Sequence, residues 1–337
     1  MYSRLIQKAR TLPSDEGEYY IPMIRIGAAA AIGFAAAVLF AQTPQTPADA
    51  SQNLRVDVRL VNVYVTVIDG SGRYVQGLKK NDFLVEEDGR RQTLTHFDHN
   101  QDTPVSVGIV LDTSGSMRLK LDTATDAVDR FIRTIHADDD IFLMAFDTDT
   151  YLLQDFTSDR SKLRKALRYA ESEGGTALYD ALERAMRKIK SGANNKRALL
   201  LITDGQDTSS QASFEEVRQR VRESELLVYS LGISPADDFQ FNNNNRGRFG
   251  GRDTVDMNVL KTLGSDSGGR AYPVSDDMLG GKNSQFDFIL AQIAEELRSQ
   301  YTLAYYAPHP DDGQFHNIRV TTRFGYFVRA RRGYIAR

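Results

Sequence analysis

The sequence predicts a doubly wound α/β fold, with a mostly parallel six-stranded sheet inserted in a small β-sandwich formed by the N- and C-terminal segments. Three observations predict it. Through the middle of the chain, short apolar runs alternate with stretches of helical periodicity, the order a doubly wound sheet requires. Toward both ends, strand-like runs bounded by tight-turn residues replace that alternation. Neither end is large enough to make a robust domain alone, so the two are expected to pair. The expected organisation is residues 1–50 as signal peptide or anchor and linker, 51–100 with 301–337 as the β-sandwich, and 101–300 as the inserted α/β domain.

In chain order, the first element is Ile26–Ala41, an alanine-rich stretch without charge that follows Arg25. It is short for a membrane span of about 20 residues and near the upper end for a signal-peptide core. Ala41 or Ala48-Asp49-Ala50 offers small residues for cleavage, and an uncleaved anchor stays open. Either reading places the folded part outside the cytoplasm, in the periplasm, at the cell surface or secreted. Asp15, Glu16 and Glu18 are unusual in a signal, so Met23 makes a more ordinary start than Met1.

Arg55–Ile68 alternates Val and Leu with polar residues and predicts a strand with one wet face. Short β pieces follow at Tyr74-Val75 and Phe83–Glu86, then a tight turn at Asp88-Gly89 before Gln92–Phe97. In the central block, strands are expected at Val105–Leu111, Ile141–Phe146, Tyr151–Phe156, Arg197–Thr203, Leu226–Gly232 and Arg270–Pro273. Helices are expected at Leu121–His136, Ser161–Ser172, Ala177–Lys190, Ser213–Ser224, Met257–Gly264 and Phe286–Ser299. Tyr301–Tyr306, Phe315–Arg323 and Tyr326–Arg332 close the chain as strands.

Composition narrows the function classes. The 337 residues carry a net charge of −3, which gives no reason to expect nucleic-acid binding. The absence of cysteine excludes disulfides, thiolate zinc sites and cysteine nucleophiles. Of the five histidines, only the weak pair His96-x-x-His99 has a metal-ligand spacing, and it reads as solvated polarity. No phosphate-binding glycine loop or dinucleotide fingerprint is present.

The pentad Asp112-Thr113-Ser114-Gly115-Ser116 directly follows the apolar run Val105–Leu111. A carboxylate with hydroxyls two and four residues on, at a turn leaving a strand, can set three hard oxygens around one small cation. Mg²⁺ and Mn²⁺ prefer such ligands. The alternative is a polar turn that caps the next helix. Gly174-Gly175-Thr176, before a helix, adds a third hydroxyl, and the run ending at Thr203 delivers a second carboxylate at Asp204. Asp112 and Asp204 both follow strand C-termini, the edge at which open parallel sheets bind ligands.

On the pentad, Thr176 and Asp204-Gly205, the chain resembles the von Willebrand factor type A (VWA) domain and its metal-ion-dependent adhesion site (MIDAS), over roughly Pro104 to Gln300. The resemblance implies a Rossmann-like sheet with Ser114, Ser116 and Thr176 as hydroxyl ligands of Mg²⁺ or Mn²⁺. Asp112 and Asp204 would hold the ion directly or through water. It further implies that an Asp or Glu of a partner protein replaces a bound water. Gly77-Leu78, Asp82-Phe83, Glu87-Asp88-Gly89 and the closing Arg329-Ala330-Arg331-Arg332-Gly333-Tyr334 are similar to exported bacterial VWA-related proteins.

The expected function is therefore an exported, metal-dependent adhesion-type protein-binding module. An envelope assembly or scaffolding factor that uses the same site on a fixed partner is the alternative. Neutral hydroxyls leave the cation electrophilic, and the motif supplies neither a general base nor a histidine-activated nucleophile, so no enzyme is expected. The arginine- and asparagine-rich insert at residues 242–252 reads as a loop on the same edge. Asp138-Asp139-Asp140 reads as a solvated turn, Asp147 and Asp149 as rim residues, Asp207 as a helix cap or a neighbour of the site, and Arg329, Arg331 and Arg332 as one face of a strand.

Overall fold

In the computed structural model, the structure describes residues 59–99, 101, 103–234, 255–275 and 285–337, all within one unit spanning residues 55–337. The Ile26–Ala41 stretch, the start of the Arg55–Ile68 strand and the insert at 242–252 lie outside the described residues. The elements run β1 (Leu60–Ile68), β2 (Phe83–Glu87), β3 (Arg90–Arg91), β4 (Leu94–Asp98), β5 (Val105–Asp112), α1 (Leu121–Thr134), β6 (Asp140–Phe146), β7 (Thr150–Thr157), α2 (Arg160–Leu167) and α3 (Leu178–Lys188). They continue with β8 (Lys196–Thr203), α4 (Phe214–Glu223), β9 (Leu227–Ser234), α5 (Met257–Ser267), β10 (Arg270–Ser275), α6 (Gln285–Ser299), β11 (Tyr301–Tyr306), β12 (Phe315–Thr322), β13 (Phe327–Arg329) and β14 (Gly333–Ile335). Among the described residues, no helix is long and apolar enough to cross a membrane.

The central sheet has the order β10-β9-β8-β5-β6-β7, parallel except for the edge strand β7. Its inner strands need apolar residues at every position because helices cover both faces, and β5 is buried throughout. One face packs against α1, α2 and α6 through residues such as Phe131, Leu163 and Phe286. The other packs against α3, α4 and α5 through Leu182, Val217 and Leu260. Strand order reverses between β5 and β8, so a crevice opens beyond Asp112 and Thr203.

Two four-stranded sheets, β13-β1-β11-β4 and β14-β12-β2-β3, come from the segments that flank this unit. They enclose one core: Val61, Val63, Val65 and Val67 of β1 face Val85, Ile318, Val320 and Tyr334. The α/β sheet and the sandwich of terminal segments are thus both as expected.

Five local expectations change. The wet face of β1 is covered, because Tyr64 and Thr66 turn toward the α/β unit, where Thr66 Oγ1 donates to Glu296 Oε1 at 3.3 Å. The second central helix ends at Leu167 instead of Ser172; the chain leaves it early, and Ser172 Oγ donates to the Ser114 carbonyl at 2.5 Å. The expected strand Tyr326–Arg332 divides, β13 pairing with β1 and β14 with β12, so residues 330–332 cross between the sheets. Arg329 ends β13 and pairs with buried Glu296, whereas Arg331 and Arg332 lie in the crossing, with Arg331 buried, so the three arginines do not form one face of a strand. Asp139, read as solvated, is buried; it accepts from the Val105 and His136 amides and pairs with Arg298. A buried carboxylate needs such partners.

Candidate metal centre

Parallel pairing sets Leu111 beside Ile202, so the residues that follow leave the sheet together. The Thr203 hydroxyl donates to Asp112 Oδ2 at 2.5 Å, and the Ser114 amide donates to Oδ1 at 2.8 Å. Both oxygens are thereby fixed at the mouth of the crevice. Gly115–Leu119 forms a short 3-10 turn that carries Ser116 around toward the β8 edge. Ser114 Oγ and Ser116 Oγ stand 3.0 Å apart, and Ser116 Oγ donates to Asp204 Oδ1 at 2.7 Å.

The third loop is tied to the first. The Glu173 amide donates to the Thr113 carbonyl at 2.9 Å, and the Gly115 amide to the Gly174 carbonyl at 3.0 Å. Thr176 is held through its backbone: its amide donates to Thr208 Oγ1 at 3.0 Å, and its carbonyl accepts from the Thr208 amide at 2.8 Å. A Cβ at position 205 would fall 3.2 Å from Thr176 Oγ1, so Gly205 lets that hydroxyl approach the Asp204 loop closely. The structure thus brings Asp112, Ser114, Ser116, Thr176 and Asp204 to one edge. Asp112, Ser114, Thr176 and Asp204 are buried and Ser116 is exposed at the mouth.

Burial pushes the Asp112 carboxyl up to about 6, against the opposing hydrogen bonds from Thr203 and Ser114, and nearby Asp204 adds to the rise. Two buried carboxylates and three hydroxyls form a hard-oxygen set that lacks positive charge, with one exception. Lys120 Nζ donates to Asp204 Oδ2 at 2.7 Å. The donor types and this charge deficit fit Mg²⁺ or Mn²⁺.

Lys120, Thr203 and Thr208 were not singled out in the sequence. Lys120 stands four residues after Ser116 on a helical turn, which returns it to the same side, so that spacing was its available signal. Asp207 Oδ1 accepts from the Tyr179 amide at 3.3 Å and from Ser210 Oγ at 2.5 Å, and Ser210 Oγ accepts from the Tyr179 and Asp180 amides at 3.0 and 3.1 Å, so the two side chains together meet the first turn of α3. Asp147 and Asp149 form a rim turn beside Thr148, whose hydroxyl accepts from the Gly175 amide at 2.9 Å. His96 is exposed, while the His99 ring stacks on Tyr301 with centroids 4.1 Å apart.

Residues 107–206 match the family model for the von Willebrand factor type A domain. An uncharacterized protein of Borreliella burgdorferi is 28% identical over 183 residues, which cover 50% of this chain and 53% of that one. Inter-alpha-trypsin inhibitor heavy chain H4 of Sus scrofa is 28% identical over 132 residues, covering 36% of this chain and 14% of that one. The chain thus spans about half the length of the first of these relatives and less of the second. Among solved structures, the conserved hypothetical protein BatB from Bacteroides thetaiotaomicron superposes with a TM-score of 0.43 at 22% identity, covering 57% of this chain and 98% of that one. The family match falls on the segment that carries the pentad, the switch edge and both carboxylates, so residues 107–206 are the part of the chain that matches the von Willebrand factor type A domain.

Proposed function

We propose that the protein is an exported adhesion-type binding module whose site is completed by an acidic side chain of a partner protein. The observation that carries this reading is the convergence of three loops on one oxygen cluster, in which Ser114, Ser116 and Asp204 form a continuous chain at 3.0 and 2.7 Å. Asp112, Ser114, Ser116, Thr176 and Asp204 are the proposed ligands of Mg²⁺ or Mn²⁺. A bound cation would supply an electrophilic position for a carboxylate. The residues do the rest: Thr203 and the Ser114 amide orient Asp112, Thr208 holds Thr176 in place, and exposed Ser116 leaves the mouth open to a partner. VWA domains are generally non-catalytic binding modules, and among the described residues no histidine is hydrogen-bonded to Ser114 or Ser116 to activate it. Export is supported by the Ile26–Ala41 stretch.

Calorimetric titration of Mg²⁺ and Mn²⁺ into the chelator-stripped full chain, beside Asp112→Ala, tests the site. The protein is to be recovered from envelope or medium, since recovery from cytosol alone would reject export. Saturable binding in the wild type, weakened at least about 100-fold in the variant, is expected. Equal binding by both would remove the proposed ligand set.

A further inference from the structure

The sandwich holds a second cluster of metal-ligating side chains, assembled from residues far apart in sequence. Glu87 ends β2, His309 lies in the loop after β11, and His316 is the second residue of β12. One donor atom from each lies within 4.8 Å of the other two, and Glu87 and His316 are buried.

Acceptor oxygens crowd the two rings. His309 Nδ1 is 2.8 Å from the Pro310 carbonyl, and its Nε2 is 2.9 Å from Glu87 Oε1. His316 Nδ1 is 2.7 Å from Asp88 Oδ2, and its Nε2 is 3.2 Å from Asp312 Oδ1. All four ring nitrogens thus face oxygens of carbonyl or carboxylate groups, and the Tyr334 hydroxyl, 3.2 Å from His309 Nε2, is the one of these neighbours that can also donate. Two neutral imidazoles bring only two N–H donors to these four acceptors. A second N–H on His316, between Asp88 and Asp312, would leave the contact of His309 Nε2 with Glu87 unmet, beside a ring stacked with centroids 3.5 Å apart. A divalent ion bound by one donor atom from each of Glu87, His309 and His316 would meet it, with the stacked rings turned so that their lone pairs point at the ion.

The surroundings match what ligating groups need. A metal-bound histidine donates its other N–H to a carbonyl or carboxylate, which fixes the tautomer. Pro310 does this for His309 and Asp88 for His316. Glu87 is oriented in the same way: Tyr305 and Tyr334 hydroxyls donate to its Oε2 at 2.5 and 3.1 Å, leaving Oε1 toward His309. Bonds of about 2.0–2.1 Å in a tetrahedral zinc site put donors about 3.3 Å apart, which falls between the 2.9 Å pair and the 4.8 Å limit seen here. Asp312, whose side chain is 36% exposed, stands where a fourth ligand or water would enter. Arg59 and Arg331 lie over the Tyr334 ring, and Arg59 is paired with Asp311.

We propose that Glu87, His309 and His316 form a binding site for a divalent transition-metal ion of the zinc class. Two imidazoles and one carboxylate are a borderline donor set that favours Zn²⁺ or Co²⁺ over Mg²⁺. The site is independent of the oxygen cluster at the switch edge.

The test loads the chelator-stripped full chain with Zn²⁺ in excess Mg²⁺, dialyses it, and counts retained zinc by elemental analysis. About one equivalent is expected in the wild type and in Asp112→Ala. It is lost in His316→Ala and in His309→Gln, with affinity at least about 100-fold weaker. Zinc should also raise the melting temperature of the wild type and not of the two histidine variants. Far-UV circular dichroism without metal checks folding. His309→Gln, at the open side of the cluster, decides if His316→Ala does not fold. Co²⁺ in place of Zn²⁺ should give visible d–d absorption. No zinc retained by the wild type, or equal retention in folded His309→Gln, would overturn the proposal.

Discussion

The oxygen cluster at the sheet's switch edge and the histidine cluster of the sandwich are assembled by opposite means. Three of the five oxygen residues lie within one pentad, and strand pairing brings Asp204 beside it. The histidine cluster draws on one residue from β2 and two from the far end of the chain. The first is open at Ser116 and offers hard oxygens; the second is mostly buried and offers nitrogen. A site on a parallel sheet takes its precision from neighbouring strand ends. A site in an antiparallel sandwich takes it from turns that aim side chains back into the fold. At Asp88-Gly89, φ values of 48° and 76° make a tight turn of the kind that needs positive φ at both positions, and they hold Asp88 against His316.

The largest effect that separates the two clusters is expected from Asp88→Asn. An amide at position 88 can still accept from the Asn317 backbone, a bond that is 2.8 Å in the native protein. Its NH₂ then faces His316 Nδ1 and favours the tautomer with hydrogen on Nε2, which cannot bind metal. Zinc affinity should fall by about 10- to 100-fold, with Mg²⁺ binding unchanged. Parallel losses of both metals would mean that the sandwich and the switch edge are coupled, and the comparison would fail.

The same difference explains what the sequence disclosed. Apolar runs and helical periods carry the parallel sheet because its inner strands are buried on both faces, and β5 is apolar almost to its last residue. The pentad is legible because its ligands are neighbours in sequence. Glu87 and the two histidines carry no shared spacing; the pairing of β12 with β2, Ile318 opposite Glu87, brings Glu87 toward His316, and the loop after β11 adds His309. The burial of Tyr64 and Thr66 was equally illegible: alternation on β1 marks two faces, and nothing local says that an α/β unit covers the second. Asp139 read as solvent-facing because its partner Arg298 lies 159 residues away.

A smaller effect sharpens the oxygen side. Lys120 occupies one oxygen of Asp204 at 2.7 Å, so a cation drawn to that carboxylate must share it with an ammonium or displace it. With the Lys120 side chain 19% exposed, solvent screens much of the attraction, and the competition is worth about 1 kcal/mol. Lys120→Gln should therefore tighten Mg²⁺ binding about fivefold by calorimetry, without altering zinc retention. Weaker Mg²⁺ binding in the variant would show instead that Lys120 steadies Asp204 in its ligating position.

The smallest effect tests the seam between the two scaffolds. Lys196 begins β8, donates to the Leu297 carbonyl at 2.5 Å, and lies 5.6 Å from the Tyr64 ring centroid. Burial lowers its pKa to about 7, and Arg298 adds to the fall against the pull of Glu296 and Asp139. Between about 7 and its ordinary value of 10.5, the unfolded chain binds more protons than the folded one. Stability from this residue therefore rises with pH across that window and is lowest below it. Lys196→Met removes the titration and also leaves the Leu297 carbonyl without its donor, so the pH trend of the difference, not its sign at one pH, is the readout. In urea denaturation, wild type should gain on Lys196→Met as pH rises from 6 to about 9. Because Lys196 belongs to neither cluster, Mg²⁺ and zinc binding should be the same in both proteins. A pH-independent difference would mean that the buried ammonium keeps its charge through partners in both folded forms. A change in either metal affinity would mean that the seam transmits strain between sites that are otherwise built separately.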